Sequence, residues 1–231
     1  MEIVKFSFDE DKDLFNIWET ANFHSPWADF TKQLPAKVIS IAKGKKFGEV
    51  KESLKKMHRL YYSSFLLSLT LKFVKEAWKN IEAEYFRRLR EITGKKFEFA
   101  KVTAYLTFAP RCPYNPNRPD PWLMFSFQQP LHKILKTIGH ELLHIHFHNT
   151  YYNTIKAHIG KEKTENLKEA LTVLLNMEFR DLWISKDHGY KPHQNLRRFI
   201  LQRWESEKDF NKLINACVSR LNNEKARKRS V

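Results

Sequence analysis

Two histidines and a glutamate stand at the spacing His140-Glu141-x-x-His144 within a long apolar stretch of the chain. Side chains four residues apart project from the same face of a helix, so both imidazoles can bind one metal ion. The glutamate between them then faces the open side of that ion, where it can accept a proton from water. The spacing therefore predicts a hydrolytic zinc site with His140 and His144 as ligands and Glu141 as general base.

The helix that must carry this motif is predicted from Pro130 to about His148. Pro130 suits the first position of a helix, because its missing N–H would have no intrahelical partner there. Apolar residues recur along one face, and at about 100° per residue the motif histidines fall opposite, bordered by Leu143 and Phe147. Both faces therefore need cover. His146 and His148 are interpreted as polar residues near the helix end.

A catalytic zinc needs three protein ligands and an open position, whereas a structural zinc needs four ligands, usually including cysteines. Neither Cys112 nor Cys217 lies near the motif, so the sequence favours the catalytic arrangement. The metzincin spacing requires a glycine three residues and a histidine six residues after the second motif histidine. Phe147 and Thr150 occupy those positions, which excludes that spacing.

Glu169 is the preferred candidate for the third ligand. It lies 25 residues after His144, which leaves room for a loop and a returning helix, and its surroundings are strongly helical. Thr172 and Asn176 fall on the same face of that helix, where polar groups can orient a ligand carboxylate. Glu165, one turn earlier, is the rival.

The run HELLH, followed by a helical glutamate in the run EALT, resembles the gluzincin branch of the zincin metallopeptidases over roughly residues 97–183. The resemblance implies a zinc peptidase that cleaves peptide or protein substrates. Its single catalytic Zn²⁺ would be bound by His140, His144 and Glu169, and Glu141 would be the catalytic base.

The resemblance also implies a sheet before the active-site helix, with an edge strand that holds an extended substrate antiparallel. The stretch 122–128 would be that edge strand, and Trp122, Met124 and Ser126 would meet the substrate.

The chain departs from the common thermolysin-type pattern on either side of the candidate ligand. Lys168 stands where that pattern has an asparagine, and Val173 stands where an aspartate often braces a ligand histidine. Bracing would then fall to Thr172 or Asn176.

The anion that forms when water adds to a peptide carbonyl needs a further hydrogen-bond donor. The polar segment after the glutamate helix is the predicted source, with Tyr190 and His193 preferred over His188. Tyr151 and Tyr152, which follow the motif helix, are the alternatives.

Around this site the sequence predicts a mostly helical α+β fold, in which a small mixed zincin-like sheet packs on the motif helix. The change in composition near Gly94 predicts a helical N-terminal lobe at residues 1–95 and a peptidase core at residues 96–231, or one continuous domain. Strands are predicted at residues 2–8, 97–108 and 122–128. Helices are predicted after Asp9 or Asp11, at 37–43, at 47–92 as one helix or two, at 130–148, at 164–183 and at 193–221.

The formal net charge is +15, from 41 Lys and Arg against 26 Asp and Glu. This excess predicts a solvated basic surface with non-specific contact to nucleic acid, because no recognisable binding module accompanies it. The rival function is therefore a basic nucleic-acid-associated protein whose zinc site is structural or vestigial. A SprT-like protease of DNA-bound proteins would need a histidine as third ligand, for which His158 is the nearest candidate. A second rival is a peptidase kept latent by a terminal segment or a partner.

The first residues show no basic segment followed by an apolar one, and the longest apolar run, near residues 60–71, is too short to cross a bilayer. Two cysteines provide no disulfide framework. These features predict a cytoplasmic protein without a membrane partner. Cleavage specificity and oligomeric state stay open.

Overall fold

The computed structural model describes residues 2–227, and within them the predicted α+β class with a large excess of helix is confirmed. The strands are β1 (Val4–Phe8), β2 (Val102–Thr107), β3 (Tyr114–Asn115) and β4 (Trp122–Ser126). The helices are α1 (Glu10–Asn22), α2 (Ala36–Ala42), α3 (Phe47–Tyr62), α4 (Phe65–Lys79), α5 (Glu82–Thr93), α6 (Leu131–Thr150), α7 (Tyr152–Ile159), α8 (Lys161–Leu171), α9 (Leu174–Glu178), α10 (Arg180–Trp183), α11 (Gln194–Ser206) and α12 (Phe210–Arg227).

Within the described residues, the strands form one mixed sheet in the order β1-β2-β4-β3. The β1–β2 and β2–β4 pairs are parallel, whereas β3 runs antiparallel to β4. A parallel pair needs a crossover connection, and α1 to α5 supply it between β1 and β2. Ala104 and Leu106 of β2 pair with Leu123 and Phe125 of β4, and all four side chains are fully buried. They form the apolar face of the sheet.

Two compact units divide the described chain: residues 2–82 with 99–141, and residues 83–98 with 142–227. The sheet and α1 to α4 belong to the first unit, and α7 to α12 belong to the second. One border falls inside α6, which is an unbroken helix. The predicted division near residue 95 stays a prediction. No helix within residues 2–227 is both long and apolar enough to cross a membrane.

A buried carboxylate ties α1 to the end of β2 in the first unit. Asp13 accepts hydrogen bonds from the Thr107 hydroxyl at 2.6 Å, the Phe108 N–H at 2.8 Å and the Tyr62 hydroxyl at 2.8 Å. Burial nevertheless raises the pKa of Asp13, because loss of water outweighs these three donors. One turn later, the Asn16 amide donates to the Thr107 hydroxyl oxygen at 3.0 Å and strengthens the same joint.

Several helix ends lie where the sequence predicts them. Asp9 caps α1, because its carboxylate accepts the Lys12 N–H at 3.0 Å. Gly94, with a φ of +66°, follows the last residue of α5. The stretch 47–92, however, is three helices rather than one or two. The first break lies at Ser64, whose hydroxyl oxygen accepts the Leu66 N–H at 3.2 Å and starts α4.

Other predicted elements have different bounds or are divided. The strand predicted at 97–108 begins only at Val102. The helix predicted at 164–183 begins earlier, at Lys161, and is divided into α8, α9 and α10. The helix predicted at 193–221 is α11 and α12, separated by residues 207–209. Where a predicted helix is divided, side chains on either side of the break need not lie on one continuous helix face.

The second unit has an apolar core that fixes α8. Leu167, Ala170 and Leu171 of α8 are buried in it, as their spacing predicts, and so is Phe147 of α6. The core also includes Ile155, Ile159, Leu174, Ile200, Trp204, Phe210, Leu213 and Cys217. These contacts set the rotation of α8 about its own axis, and with it the direction of its polar residues.

Candidate metal centre

Helix α6 carries a histidine–glutamate–histidine group that could hold a metal ion. The ligand atoms of His140, Glu141 and His144 all lie within 4.8 Å of one another. Because one unbroken helix carries all three, helical geometry alone sets their spacing. His144 is 1% exposed and Glu141 8%, whereas His140 is more accessible. The group is thus buried at one end and accessible at the other.

Both faces of α6 are covered, as the sequence predicts. Ile138, Leu142 and Ile145 of the apolar stripe are fully buried, and Leu143 and Phe147 beside the histidines are buried as well. The covered faces hold the α6 backbone in place. The motif side chains are therefore displayed from a fixed element.

Helix α8 brings Glu169 to His144 within the second unit. The Oε1 atom of Glu169 lies 3.3 Å from Nε2 of His144, and Glu169 is 7% exposed. Nitrogen and oxygen ligands of a tetrahedral zinc, each bonded at about 2.0–2.2 Å, lie about 3.3–3.6 Å apart. The observed separation is compatible with two ligands of one zinc ion, and it is equally that of a histidine–carboxylate pair without metal.

The rival carboxylate, Glu165, has other partners. Its Oε1 accepts the Tyr152 hydroxyl at 2.6 Å, and its Oε2 lies 3.0 Å from Nζ of Lys168. The Lys168 ammonium also lies 3.2 Å from Oε1 of Glu169. Although burial opposes ionisation of Glu165, the pKa of its carboxyl is lowered, because Lys168 and Tyr152 stabilise the charged form.

Thr172 and Asn176 hold the loop after α10. Helix α8 ends at Leu171, and Thr172 and Val173 keep right-handed helical dihedrals before α9 begins. Asn176 exchanges two hydrogen bonds with the Asp187 backbone, at 2.6 and 2.8 Å. Arg197 donates to the Thr172 hydroxyl oxygen at 2.7 Å and pairs with the Asp187 carboxylate at 3.0 Å. All of these atoms belong to the second unit.

The predicted oxyanion donors lie in the segment that this network anchors. His193 is buried, and its Nε2 lies 3.1 Å from Oδ1 of Asn166, one turn before Glu169 on α8. Burial lowers the pKa of His193, so its neutral form is favoured. The Tyr190 ring stands perpendicular to the His193 ring with centroids 5.9 Å apart. His188 contributes its carbonyl oxygen to Gln194 at 2.8 Å.

Tyr151 and Tyr152 make contacts of another kind. The Tyr151 hydroxyl donates to the Thr93 carbonyl oxygen at 2.6 Å, which links it to α5. The Tyr152 hydroxyl donates to Glu165, as described above. Both hydroxyl groups thus have acceptors within the second unit.

The other histidines near the motif make contacts with residues outside the candidate metal group. His146 is buried with Nε2 3.0 Å from the Thr93 hydroxyl oxygen, and burial lowers its pKa to about 4. His148 stacks on the Tyr152 ring at 4.2 Å. His158, the ligand that the SprT-like alternative requires, is exposed on α7 with Nδ1 2.7 Å from the Thr154 carbonyl oxygen.

The prediction that residues 122–128 form the edge strand is wrong. Strand β4 ends at Ser126 and lies between β2 and β3, because Tyr114 and Asn115 pair antiparallel with its first two residues. The Met124 N–H extends this pairing by donating to the Pro113 carbonyl oxygen at 2.8 Å. Met124 and Ser126 are buried, and Trp122 is partly exposed. The substrate contacts assigned to these three residues stay predictions.

The contacts of Lys168 and of Arg197 do not follow from the sequence. Lys168 stands out there only as a departure from a family pattern, and no motif links Arg197 to Asp187. Gly189 is the residue whose type could have indicated the Arg197–Asp187 contact. Its φ is +59°, and a Cβ at this position would lie 2.6 Å from the Arg197 guanidinium. Comparisons with protein-family models, with curated proteins and with solved structures find no match to this chain.

Proposed function

We propose that the chain is a zinc-dependent peptidase of gluzincin type, in which His140, His144 and Glu169 bind one zinc ion. The observation that carries the proposal is the 3.3 Å separation of His144 Nε2 and Glu169 Oε1. It brings a carboxylate from a second helix to a histidine of the α6 group, as a mononuclear zinc site needs.

The chemistry of the donor set supports a catalytic rather than a structural zinc. Two imidazoles and one carboxylate leave a coordination position open, and the accessible His140 is consistent with a site that solvent and substrate reach. Zinc so bound supplies Lewis acidity that makes water more acidic and polarises a peptide carbonyl.

Glu141 is the general base in this proposal. Its carboxylate accepts one proton from the attacking water as the water oxygen bonds to the peptide carbon. It then delivers that proton to the nitrogen of the leaving amine as the carbon–nitrogen bond breaks. The second proton of the water also passes to this amine, so the products are a carboxylate and an ammonium group, and Glu141 returns to its starting ionised state.

The segment around His193 also supports the proposal, because an ion pair and a hydrogen bond hold it in a fixed position. The Asp187–Arg197 pair and the His193–Asn166 contact hold this segment against α8, close to Glu169 in the chain. We therefore keep His193 and Tyr190 as the donors that stabilise the developing oxyanion.

Zinc binding and peptide hydrolysis test this function together. We expect the purified protein to bind one zinc ion per chain. We expect Glu141→Gln to retain that zinc while hydrolysis of an unfolded protein substrate falls by at least about a hundredfold, since the base is lost. Glu162→Gln, an exposed substitution of the same kind on α8, is the matched control. A protein that stays metal-free at neutral pH with added zinc would contradict the proposal. So would a Glu141→Gln variant that hydrolyses the substrate as fast as the parent.

A further inference from the structure

A buried lysine lies between the candidate ligand Glu169 and a second carboxylate. Lys168 Nζ is 3.2 Å from Oε1 of Glu169 and 3.0 Å from Oε2 of Glu165, and the lysine side chain is 6% exposed. Lysines are rarely buried to this degree unless paired. The oxygen that Lys168 contacts on Glu169 is also the one that His144 approaches at 3.3 Å.

Glu165 is held ready to retain this ammonium. The Tyr152 hydroxyl donates to Oε1 at 2.6 Å, which leaves Oε2 for Lys168. The Tyr152 ring in turn stacks on His148 with centroids 4.2 Å apart. Glu165 is thereby a fixed second acceptor, one helical turn from the candidate ligand.

We infer that the ammonium group of Lys168 is part of the site. It positions Glu169 and competes with the metal for the Glu169 carboxylate. Glu165 keeps the ammonium paired when the metal takes Glu169. The inference rests on the proposed function, because it assumes that Glu169 is a zinc ligand. Its physical basis is that an ammonium and a divalent ion sharing one carboxylate repel each other strongly where water is excluded. Lys168 would therefore set the affinity of the site for zinc.

Removal of the ammonium is the first arm of the test. We expect Lys168→Met to bind zinc at least about tenfold more tightly than the parent, because the repulsion is gone and Glu169 has lost its competing partner. Lys168→Arg keeps the charge and should stay close to the parent. Lys161→Met removes an exposed lysine from the same helix and is the matched control. The readout is zinc affinity in competition with a chromophoric chelator, which does not depend on activity.

The second arm moves the affinity in the opposite direction. Glu165→Gln keeps an acceptor for Tyr152 but removes the charge that retains Lys168, so the ammonium competes more strongly for Glu169. We expect this variant to bind zinc several-fold more weakly than the parent. The double variant Lys168→Met/Glu165→Gln should again bind tightly, because no ammonium is left to compete. If Glu165 were itself a zinc ligand, the double variant would stay weak.

The outcomes separate this inference from the proposed function. A parent protein that binds no zinc overturns both. A parent that binds zinc, with affinity lowered by Glu169→Ala but not raised by Lys168→Met, overturns only the role of Lys168. Far-UV circular dichroism checks the fold of each variant. If Lys168→Met does not fold, Glu165→Gln decides, since it leaves Lys168 in place and must still weaken zinc binding.

Discussion

Glu169 is the one ligand of the proposed zinc site that comes from a different helix than the motif. Its carboxylate oxygen lies 3.3 Å from His144 Nε2, whereas Glu165 is paired with Tyr152 and Lys168. We expect Glu169→Ala to lower zinc affinity by at least about a hundredfold, since one of three protein ligands is lost. The measurement is a chelator competition at neutral pH.

The control for this substitution is Glu162→Ala, which removes an exposed carboxylate from the same helix. Its zinc affinity should equal that of the parent. If the parent and Glu169→Ala bound zinc with equal affinity, Glu169 would not be a zinc ligand.

At the scale of residues, the sequence identifies the groups that could do chemistry but not all of their partners. His140, Glu141 and His144 follow from helical geometry, which is local, and their grouping on α6 agrees with it. The contact of Lys168 with Glu169 does not follow, because adjacent helical residues point about 100° apart. Only the long lysine side chain and the packing of α8 bring the ammonium back to that carboxylate.

At the scale of elements, the joint between α1 and β2 is where the first unit carries a buried carboxyl group. Asp13 accepts three hydrogen bonds there, from Thr107, Phe108 and Tyr62. We expect Asp13→Ala to lower the free energy of unfolding by about 3 kcal/mol or more, because two buried donors and the partly buried Tyr62 hydroxyl lose their acceptor. Urea unfolding followed by circular dichroism measures this. Asp11→Ala on the same helix is the control, since its ion pair is exposed and should cost less than about 1 kcal/mol.

The pH dependence of Asp13→Asn tests the charge separately from the shape. Burial raises the folded pKa of Asp13 above its ordinary value of 3.8, so the protonated form favours folding. This contribution is complete below the unfolded pKa and is lost as the pH rises through the folded pKa. The stability of the variant, which has no such group, should therefore rise relative to that of the parent as the pH increases from about 4 through the folded pKa of Asp13. A difference that stays constant over this range would contradict the assignment.

The sequence indicates the type of each helix and strand better than the residues at which it begins and ends. Apolar residues continue through residues 47–92 without glycine-rich or proline-rich breaks, so the helix start at Ser64 depends on one hydroxyl contact. Strand β3 has two residues, too few to show an alternating pattern, and exists through its pairing with Trp122 and Leu123. Long-range pairing of this kind leaves no local signal.

At the scale of the whole molecule, the net charge of +15 is a property that the zinc site does not require. We expect weak, non-specific binding to double-stranded DNA, because the excess lysine and arginine attract phosphates without a base-reading element. Affinity should fall on the order of a hundredfold between 50 and 200 mM salt. Fluorescence anisotropy with and without chelator measures this. Binding that needs zinc, or that resists salt, would favour the nucleic-acid-associated alternative with a structural zinc.

Anomalous diffraction at the zinc absorption edge, from crystals grown with zinc, is the sharpest test of the proposed metal site. We expect one strong peak within bonding distance of Nε2 of His144 and of the Glu169 carboxylate, with His140 as the third protein ligand and Glu141 uncoordinated. Glu165 should remain paired with Lys168 in that structure. A peak elsewhere, a zinc bound without Glu169, or no peak at all would contradict the proposed zinc site.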